Sequence, residues 1–142
     1  MLKNQTGFPI YLCAKEITNL MRGLLAPYEL TYTQFIIMMY LWEVGESNLK
    51  DAADSLLLDP STLTPVLKKL EAKGYVTKQR SQGDERNLTI KLTERGSELR
   101  EKLSGLPLEM KQKLGLDSEE TKIIRSLMTK MLNNIKKEKY DV

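Results

Sequence analysis

Residues 59–93 read DPSTLTPVLKKLEAKGYVTKQRSQGDERNLTIKLT, and this stretch decides the fold. Its first half carries apolar residues at three- and four-residue steps, the spacing of one buried helix face: Leu63, Val66, Leu67 and Leu70. Gly74 is expected to end this helix, because glycine enters the left-handed region at no steric cost. The helix is expected to start near Asp59-Pro60 or at Ser61. Pro65 lacks a backbone donor, which favours a late start or a distorted first turn.

Two β-branched runs follow this helix, at Tyr75–Gln79 and Leu88–Leu92, with SQGDER between them. A shorter helix, capped by Ser47 or Asn48 and ending near Leu57, is predicted before it, which gives a helix-turn-helix arrangement. A helix followed by a hairpin with a basic tip is typical of a winged helix. In such a unit the helix enters the DNA major groove, and the hairpin tip reaches the minor groove.

The sequence of the N-terminal third of the chain predicts two further helices. The first runs from Pro9 to about Leu25, with Pro9 at the first helical position. The second begins at Thr31, where Gln34 completes a capping box, and runs to Val44. Because this second helix is apolar almost all round, we expect it at the centre of the domain. The apolar stripe of the first helix is wide enough for two partners: Ile10, Ile17, Leu20, Met21, Leu24 and Leu25.

The sequence of the C-terminal third also predicts helices, and the first of them is capped by Thr93. A short helical piece follows near 108–114, and a last helix, capped by Asp117 or Ser118 with Glu120, runs to about Lys139. The last helix carries one broad apolar stripe that needs a cover: Ile123, Ile124, Leu127, Met128, Met131, Leu132 and Ile135. We therefore expect a homodimer through the N- and C-terminal helices. The predicted fold is mainly α with a small β-hairpin wing, as one domain, 1–142, with dimerisation helices at about 8–27 and 93–140 and a winged helix-turn-helix core at about 31–93.

Composition restricts the class of protein. The chain has 142 residues, no histidine and one cysteine. A histidine-based relay, a histidine metal site and a thiolate zinc site are therefore excluded, and no phosphate-cradling glycine loop occurs. We expect neither an enzyme nor a metal or cofactor. Without a signal peptide or an apolar run of roughly 20 residues, the expected location is the cytoplasm.

Charge is concentrated in one segment. Between Val66 and Lys91 there are seven basic and three acidic residues, so this segment has a charge of 7 − 3 = +4, whereas the whole chain has +3. A basic face on a nearly neutral body suits a polyanion such as double-stranded DNA.

The predicted recognition helix offers hydroxyls near its N-terminus and lysines further along. Ser61, Thr62 and Thr64 are candidates for donating to phosphates or base edges. One of the three is alternatively only a helix cap. Lys68 and Lys69 suit phosphates.

The predicted wing carries Asp84 and Arg86 near its tip. An arginine there can enter a narrow minor groove, and an aspartate two residues away can hold its guanidinium. The alternative is an exposed ion pair worth about 0–1 kcal/mol. The flanking phosphate candidates are Lys78, Arg80 and Gln82.

These motifs together resemble the MarR family of bacterial winged-helix repressors over nearly the full length. The resemblance rests on LDPSTLTPVLKKLEAKGYVTKQRS, on DER at 84–86 and on LTERG at 92–96. It implies a dimeric regulator on a pseudo-palindromic operator, and it assigns Asp84 and Arg86 the same roles. KEITNLMRGLL, LTYTQF and LWE are most similar to the oxidative-stress branch of the OhrR, MgrA and SarZ types.

The branch resemblance also bears on control. Gly7 stands where that branch keeps its sensing cysteine, Tyr11 and Tyr32 match tyrosines that bond to it, and Met21 replaces a third. Cys13 is therefore either a small buried hydrophobe or a displaced redox sensor.

A candidate pocket for a small apolar or aromatic effector is formed by Tyr11, Met21, Tyr28 and Tyr32. Core packing explains the same residues equally well. The alternatives to a DNA-binding regulator are a winged-helix interaction module that does not bind DNA and a redox sensor acting through Cys13.

Overall fold

The computed structural model describes residues 1–80 and 88–139. In these residues the chain is mainly helical, with one small antiparallel sheet. It divides into two compact units, Met1–Leu106 and Pro107–Val142. The helices are α1 (Gly7–Leu25), α2 (Tyr32–Val44), α3 (Leu49–Leu56), α4 (Pro60–Ala72), α5 (Glu94–Lys102), α6 (Leu106–Leu114) and α7 (Ser118–Lys139), and the strands are β1 (Glu46–Asn48), β2 (Val76–Arg80) and β3 (Leu88–Leu92).

Helix α2 supplies the centre of the first unit, as its apolar sequence predicts. Phe35, Ile37, Met38 and Leu41 are all at most 3% exposed. The predicted capping box is confirmed, because Gln34 N donates to Thr31 Oγ1 at 3.1 Å and Thr31 N donates to Gln34 Oε1 at 3.0 Å. The cap fixes the start of the helix, and burial of its side chains fixes its place.

Helix α1 begins two residues earlier than predicted, at Gly7. Pro9 is thus the third helical residue and not the first. Its missing N–H is still among the first four amides of the helix, which have no partner within it, so the proline breaks no helical hydrogen bond. Only Met21 and Leu25 of the predicted stripe are fully buried.

The turn between α3 and α4 joins the two helices of the predicted helix-turn-helix. Asn48 caps α3, since its side chain accepts from Asp51 N at 2.7 Å. Leu57 ends α3 in the left-handed region, with φ 56°. Helix α4 then begins at Pro60, which confirms the predicted start near Asp59-Pro60. The late start that Pro65 favoured does not occur, and Pro65 lies inside the helix. Burial of the leucine face of α4 compensates for the backbone donor that the proline lacks.

The end of α4 confirms the role predicted for Gly74, which has φ 79°. Gly74 N donates to Glu71 O at 2.9 Å, and Tyr75 N donates to Leu70 O at 3.1 Å. These two hydrogen bonds form a Schellman motif. The motif reverses the chain and sends it into β2.

The sheet has the strand order β1-β3-β2, and all pairs are antiparallel. Strand β3 has the predicted bounds, and β2 is shifted by one residue from the prediction. Strand β1 was not predicted. It pairs Ser47 with Ile90, which connects the start of the helix-turn-helix to the hairpin.

A junction around Gly96 joins α2, α5 and the start of β2. Trp42 Nε1 donates to Gly96 O at 2.9 Å, and Thr93 N donates to Tyr75 O at 3.1 Å. Thr93 caps α5 as predicted, accepting from Gly96 N at 3.0 Å. Its hydroxyl also donates to Gly74 O at 2.6 Å. One threonine therefore ties the cap of α5 to the turn after α4.

The second unit contains most of α6 and all of α7, separated by a turn at Gly115 with φ 68°. The start of α7 is fixed by reciprocal hydrogen bonds of 2.9 Å between Asp117 and Glu120, as predicted. Most of the apolar stripe of α7 is exposed, with Ile123 at 58% and Leu127 at 54%. Among the residues that the structure describes, no helix is both long enough and apolar enough to span a membrane.

Candidate nucleic-acid interface

Helix α4 presents a polar face to solvent. The side chains of Ser61, Thr62, Lys68 and Lys69 are exposed, as the sequence predicts. Thr64 is also exposed, but its hydroxyl donates to Pro60 O at 2.8 Å. Since its hydrogen is committed to the backbone, Thr64 offers an external ligand only an acceptor. Ser61 and Thr62 are the hydroxyl donors at the start of the helix.

The opposite face of α4 is anchored in the core. Leu63, Leu67 and Leu70 are each 0% exposed. Three fully buried leucines fix the rotation of the helix about its axis, since turning it would expose each of them at a cost of about 1.5–3 kcal/mol. The polar face is therefore presented in one orientation, which a readout of DNA bases requires.

A cleft of about 430 Å³ separates α4 from the base of the hairpin. It is lined by Leu49, Thr64, Glu71, Lys78, Arg80 and Leu88. Lys78 Nζ lies 3.6 Å from Glu71 Oε1, and the lysine side chain is 19% exposed. Arg80 is exposed at the end of β2. Phosphate contacts by Lys78 and Arg80 stay predictions, and Lys78 has a competing partner within the chain.

The remaining wing candidates are Gln82, Asp84 and Arg86. All three lie outside the residues that the structure describes. Their predicted contacts with DNA stay predictions.

The four residues of the predicted effector pocket lie in different environments. Tyr11 is 63% exposed and Met21 is 1% exposed. Ten residues apart on one helix, they are separated by about 15 Å along its axis. Tyr28 OH donates to Lys102 O at 3.3 Å, and Tyr32 is half-buried at the start of α2. The effector pocket formed by these four residues stays a prediction.

Cys13 is a free and exposed cysteine on α1. The expectation of a small buried hydrophobe is therefore wrong for the single chain. The apolar stripe of α1 turns towards the core only near Met21 and Leu25, and Cys13 lies more than two turns before it. Among the described residues, no group of three or more histidine, cysteine, aspartate or glutamate side chains could hold a metal ion.

Sequence reasoning missed Glu71, whose carboxylate accepts a hydrogen bond from the backbone N–H of Lys78 and forms an ion pair with Lys78 Nζ. The available signal was an acidic residue in an otherwise basic stretch. It also missed Gly96, where a Cβ would lie 2.1 Å from Tyr75 O. That close approach depends on a contact between elements distant in sequence, so no local pattern announces it.

Comparison with known proteins identifies the family. The family model described as "Transcriptional regulator SarA/Rot" matches residues 19–103. The HTH-type transcriptional regulator SarZ of Staphylococcus epidermidis is 37% identical, over 96% of this chain and 93% of that protein. The organic hydroperoxide resistance transcriptional regulator of Bacillus subtilis is 36% identical, over 94% and 91%.

A solved structure agrees with the sequence relatives. The structure of reduced AbfR bound to DNA has a TM-score of 0.78 and 30% identity, covering 94% of each chain, and AbfR comes from Staphylococcus epidermidis. Its fold matches the arrangement of helices and hairpin described above. The chain belongs to the SarA/Rot-type branch of the MarR family of winged-helix transcriptional regulators.

Proposed function

We propose that this chain is a homodimeric transcriptional regulator that binds a pseudo-palindromic operator in double-stranded DNA. The observation that carries the proposal is the exposed polar face of α4, held in one orientation by three leucines with 0% exposure. A solved relative of the same fold is described as bound to DNA. Two such helices would occupy successive major grooves roughly 34–36 Å apart. We infer repression and not activation from the resemblance to the family.

The dimer part of the proposal is supported by apolar surface that one chain leaves uncovered. On α7 the exposed apolar residues are Ile123, Ile124, Leu127, Leu132 and Ile135. On α1 they are Phe8, Tyr11 and Leu12. An amphipathic helix of this length needs a cover, and a second copy of the chain supplies one through a two-fold interface. We therefore propose that the terminal helices form the dimer and that the core at about 31–93 binds DNA.

The dimer is tested with two lysine substitutions on α7. Leu127→Lys places a charge in the apolar stripe, whereas Asn133→Lys places the same charge on an exposed polar position on the other side of the helix. We expect sedimentation to show mainly monomer for Leu127→Lys and dimer for Asn133→Lys. A dimer in both variants would place the interface elsewhere.

DNA binding is tested by selecting duplexes from a randomised pool and titrating the chosen one with salt. Binding that rests on phosphate contacts weakens steeply as salt rises, with a log–log slope of about −0.9 for each neutralised phosphate. We expect a palindromic selected site and a slope of several units per dimer. The absence of any selected duplex would favour the interaction module that does not bind DNA.

Regulation and location complete the proposal. The exposed thiol of Cys13 favours a redox input as a second function of the same regulator, since an oxidant can reach it. A ligand or oxidation event at α1 would change the spacing of the recognition helices and release DNA. We infer a regulator without catalytic activity, working in the cytoplasm, because the related proteins are transcriptional regulators.

A further inference from the structure

Glu71 connects α4 to the hairpin through two contacts with one residue. Its Oε2 accepts a hydrogen bond from the backbone N–H of Lys78 at 3.1 Å. Its Oε1 lies 3.6 Å from Lys78 Nζ. Both carboxylate oxygens are therefore engaged with the middle residue of β2. Glu71 itself is in the last turn of α4.

The backbone contact matters because β2 is an edge strand. Among residues 1–80 and 88–139, the strand order β1-β3-β2 leaves one side of β2 without a neighbouring strand. Lys78 faces Ile90 in the register, and its N–H points away from β3 to Glu71. An edge amide normally lacks a partner within the protein. Glu71 takes the place of the missing strand, so it fastens the open edge of β2 to α4.

Apart from its contact with Lys78, the negative charge of Glu71 is unfavourable at this position. A carboxylate in the last turn of a helix faces the negative end of the helix dipole. A carboxylate on the same helix as Lys68 and Lys69 also lowers the positive potential of a surface proposed to bind phosphates. Neither helix stability nor attraction of DNA accounts for an acidic residue here. The contact with Lys78 does account for it.

We propose that Glu71 is a positioning residue that fixes the base of the hairpin relative to the recognition helix without touching DNA. It holds β2, and the basic side chains of Lys78 and Arg80, at one angle to α4. The helix and the hairpin can then engage the same duplex together without an ordering cost at binding. This inference rests on the proposed DNA-binding function and names a residue that serves it.

The sign of one substitution separates positioning from simple electrostatics. Removing a negative charge from a DNA-binding surface should by itself strengthen binding. If Glu71 positions the hairpin, Glu71→Ala weakens binding instead, by about tenfold, the size of a lost specific contact. The matched control is Glu46→Ala. Glu46 forms an ion pair of 3.4 Å with Lys91 on the other edge of the sheet.

The experiment measures binding of the full-length variants to a selected duplex by fluorescence anisotropy, at several salt concentrations. We expect Glu71→Ala to weaken binding and Glu46→Ala to leave it unchanged or slightly stronger. The affinity of Glu71→Gln should lie between these two, because the amide oxygen of the glutamine still accepts from Lys78 N. In an Arg80→Ala background, Glu71→Ala should weaken DNA binding by a smaller factor than in the wild type, because one of the side chains that Glu71 positions has been removed. Exchange of the Lys78 amide should be faster in Glu71→Ala.

Two results overturn the inference. Glu71→Ala binding as tightly as the wild type, or more tightly, shows that the link does not serve DNA binding. An equal loss in the wild-type and Arg80→Ala backgrounds shows a general effect on the fold. If Glu71→Ala does not fold, Glu71→Gln decides by the same two criteria. Failure of the proposed function looks different, since the wild type itself would then show no salt-dependent binding to any duplex.

Discussion

Among the glycines that the structure describes, Gly96 is the one whose replacement with alanine is expected to destabilise the first unit most. An ideal Cβ at Gly96 would lie 2.1 Å from Tyr75 O and 3.3 Å from Leu92 Cδ2. The nearest atom is backbone, so it cannot turn away as a side chain could. Reaching an ordinary contact of 3.4 Å requires a separation of 3.4 − 2.1 = 1.3 Å between α5 and the start of β2.

The cost of that separation follows from what the junction contains. Overpacking a tight site costs about 1–3 kcal/mol. The shift also strains the hydrogen bonds from Thr93 N to Tyr75 O at 3.1 Å and from Trp42 Nε1 to Gly96 O at 2.9 Å. Losing one of them costs about 1 kcal/mol. The sum is about 3 kcal/mol, which lowers the melting temperature of a domain of this size by about 10 °C.

The assay is thermal unfolding followed by circular dichroism, at one protein concentration because a dimer melts in a concentration-dependent way. Gly23→Ala is the matched control. Gly23 also lies in a helix, and no atom of the described part of the chain that could clash stands within 4 Å of its Cβ position. Alanine there should leave the melting temperature unchanged or raise it. A Gly96→Ala protein that melts within about 2 °C of the wild type would refute the steric argument.

Three further predictions concern a strained turn, a cap and the thiol. Leu57 has φ 56° and is 48% exposed, so Leu57→Asn should raise the free energy of unfolding by about 0.5–1 kcal/mol in a denaturant titration. A loss of stability would show that the leucine side chain has a packing role. Thr93→Ala removes the oxygen that accepts from Gly96 N and should cost about 1–2 kcal/mol in the same titration. Thr93→Ser should recover most of this, and equal losses in both variants would rule out the hydroxyl as the cause. For Cys13, peroxide should release DNA from the wild type and not from Cys13→Ser; equal release from both, or none from either, removes the redox input.

The elements predicted well are those whose signals are local. The capping box at Thr31 and Gln34 and the glycine end of α4 each depend on residues within about four positions, so the sequence alone shows them. The boundary of β3 was correct because a β-branched run shows it. The position of α2 at the centre followed from a helix with no polar face to turn towards solvent.

The elements predicted badly depend on distant partners. Strand β1 has three residues, too few for an alternating pattern, and it exists because Ser47 meets Ile90 across 43 positions of the chain. The late start that Pro65 favoured for α4 does not occur, because the local rule about Pro65 is outweighed by burial of the leucine face. In the interface, the exposed lysines and hydroxyls could be predicted from the sequence, but the contact between Glu71 and Lys78 needed the Schellman turn that folds β2 back along the helix.

The junction around Gly96 also has a practical consequence for spectroscopy. Trp42 is the single tryptophan of the chain, and its indole N–H donates to Gly96 O while its ring meets Phe35 edge-on, with centroids 6.1 Å apart. All indole emission therefore originates where α2, α5 and the start of the hairpin meet. Any movement of the recognition unit against α5 changes the surroundings of this one fluorophore. The chain carries its own unlabelled optical probe of the state of the hairpin base.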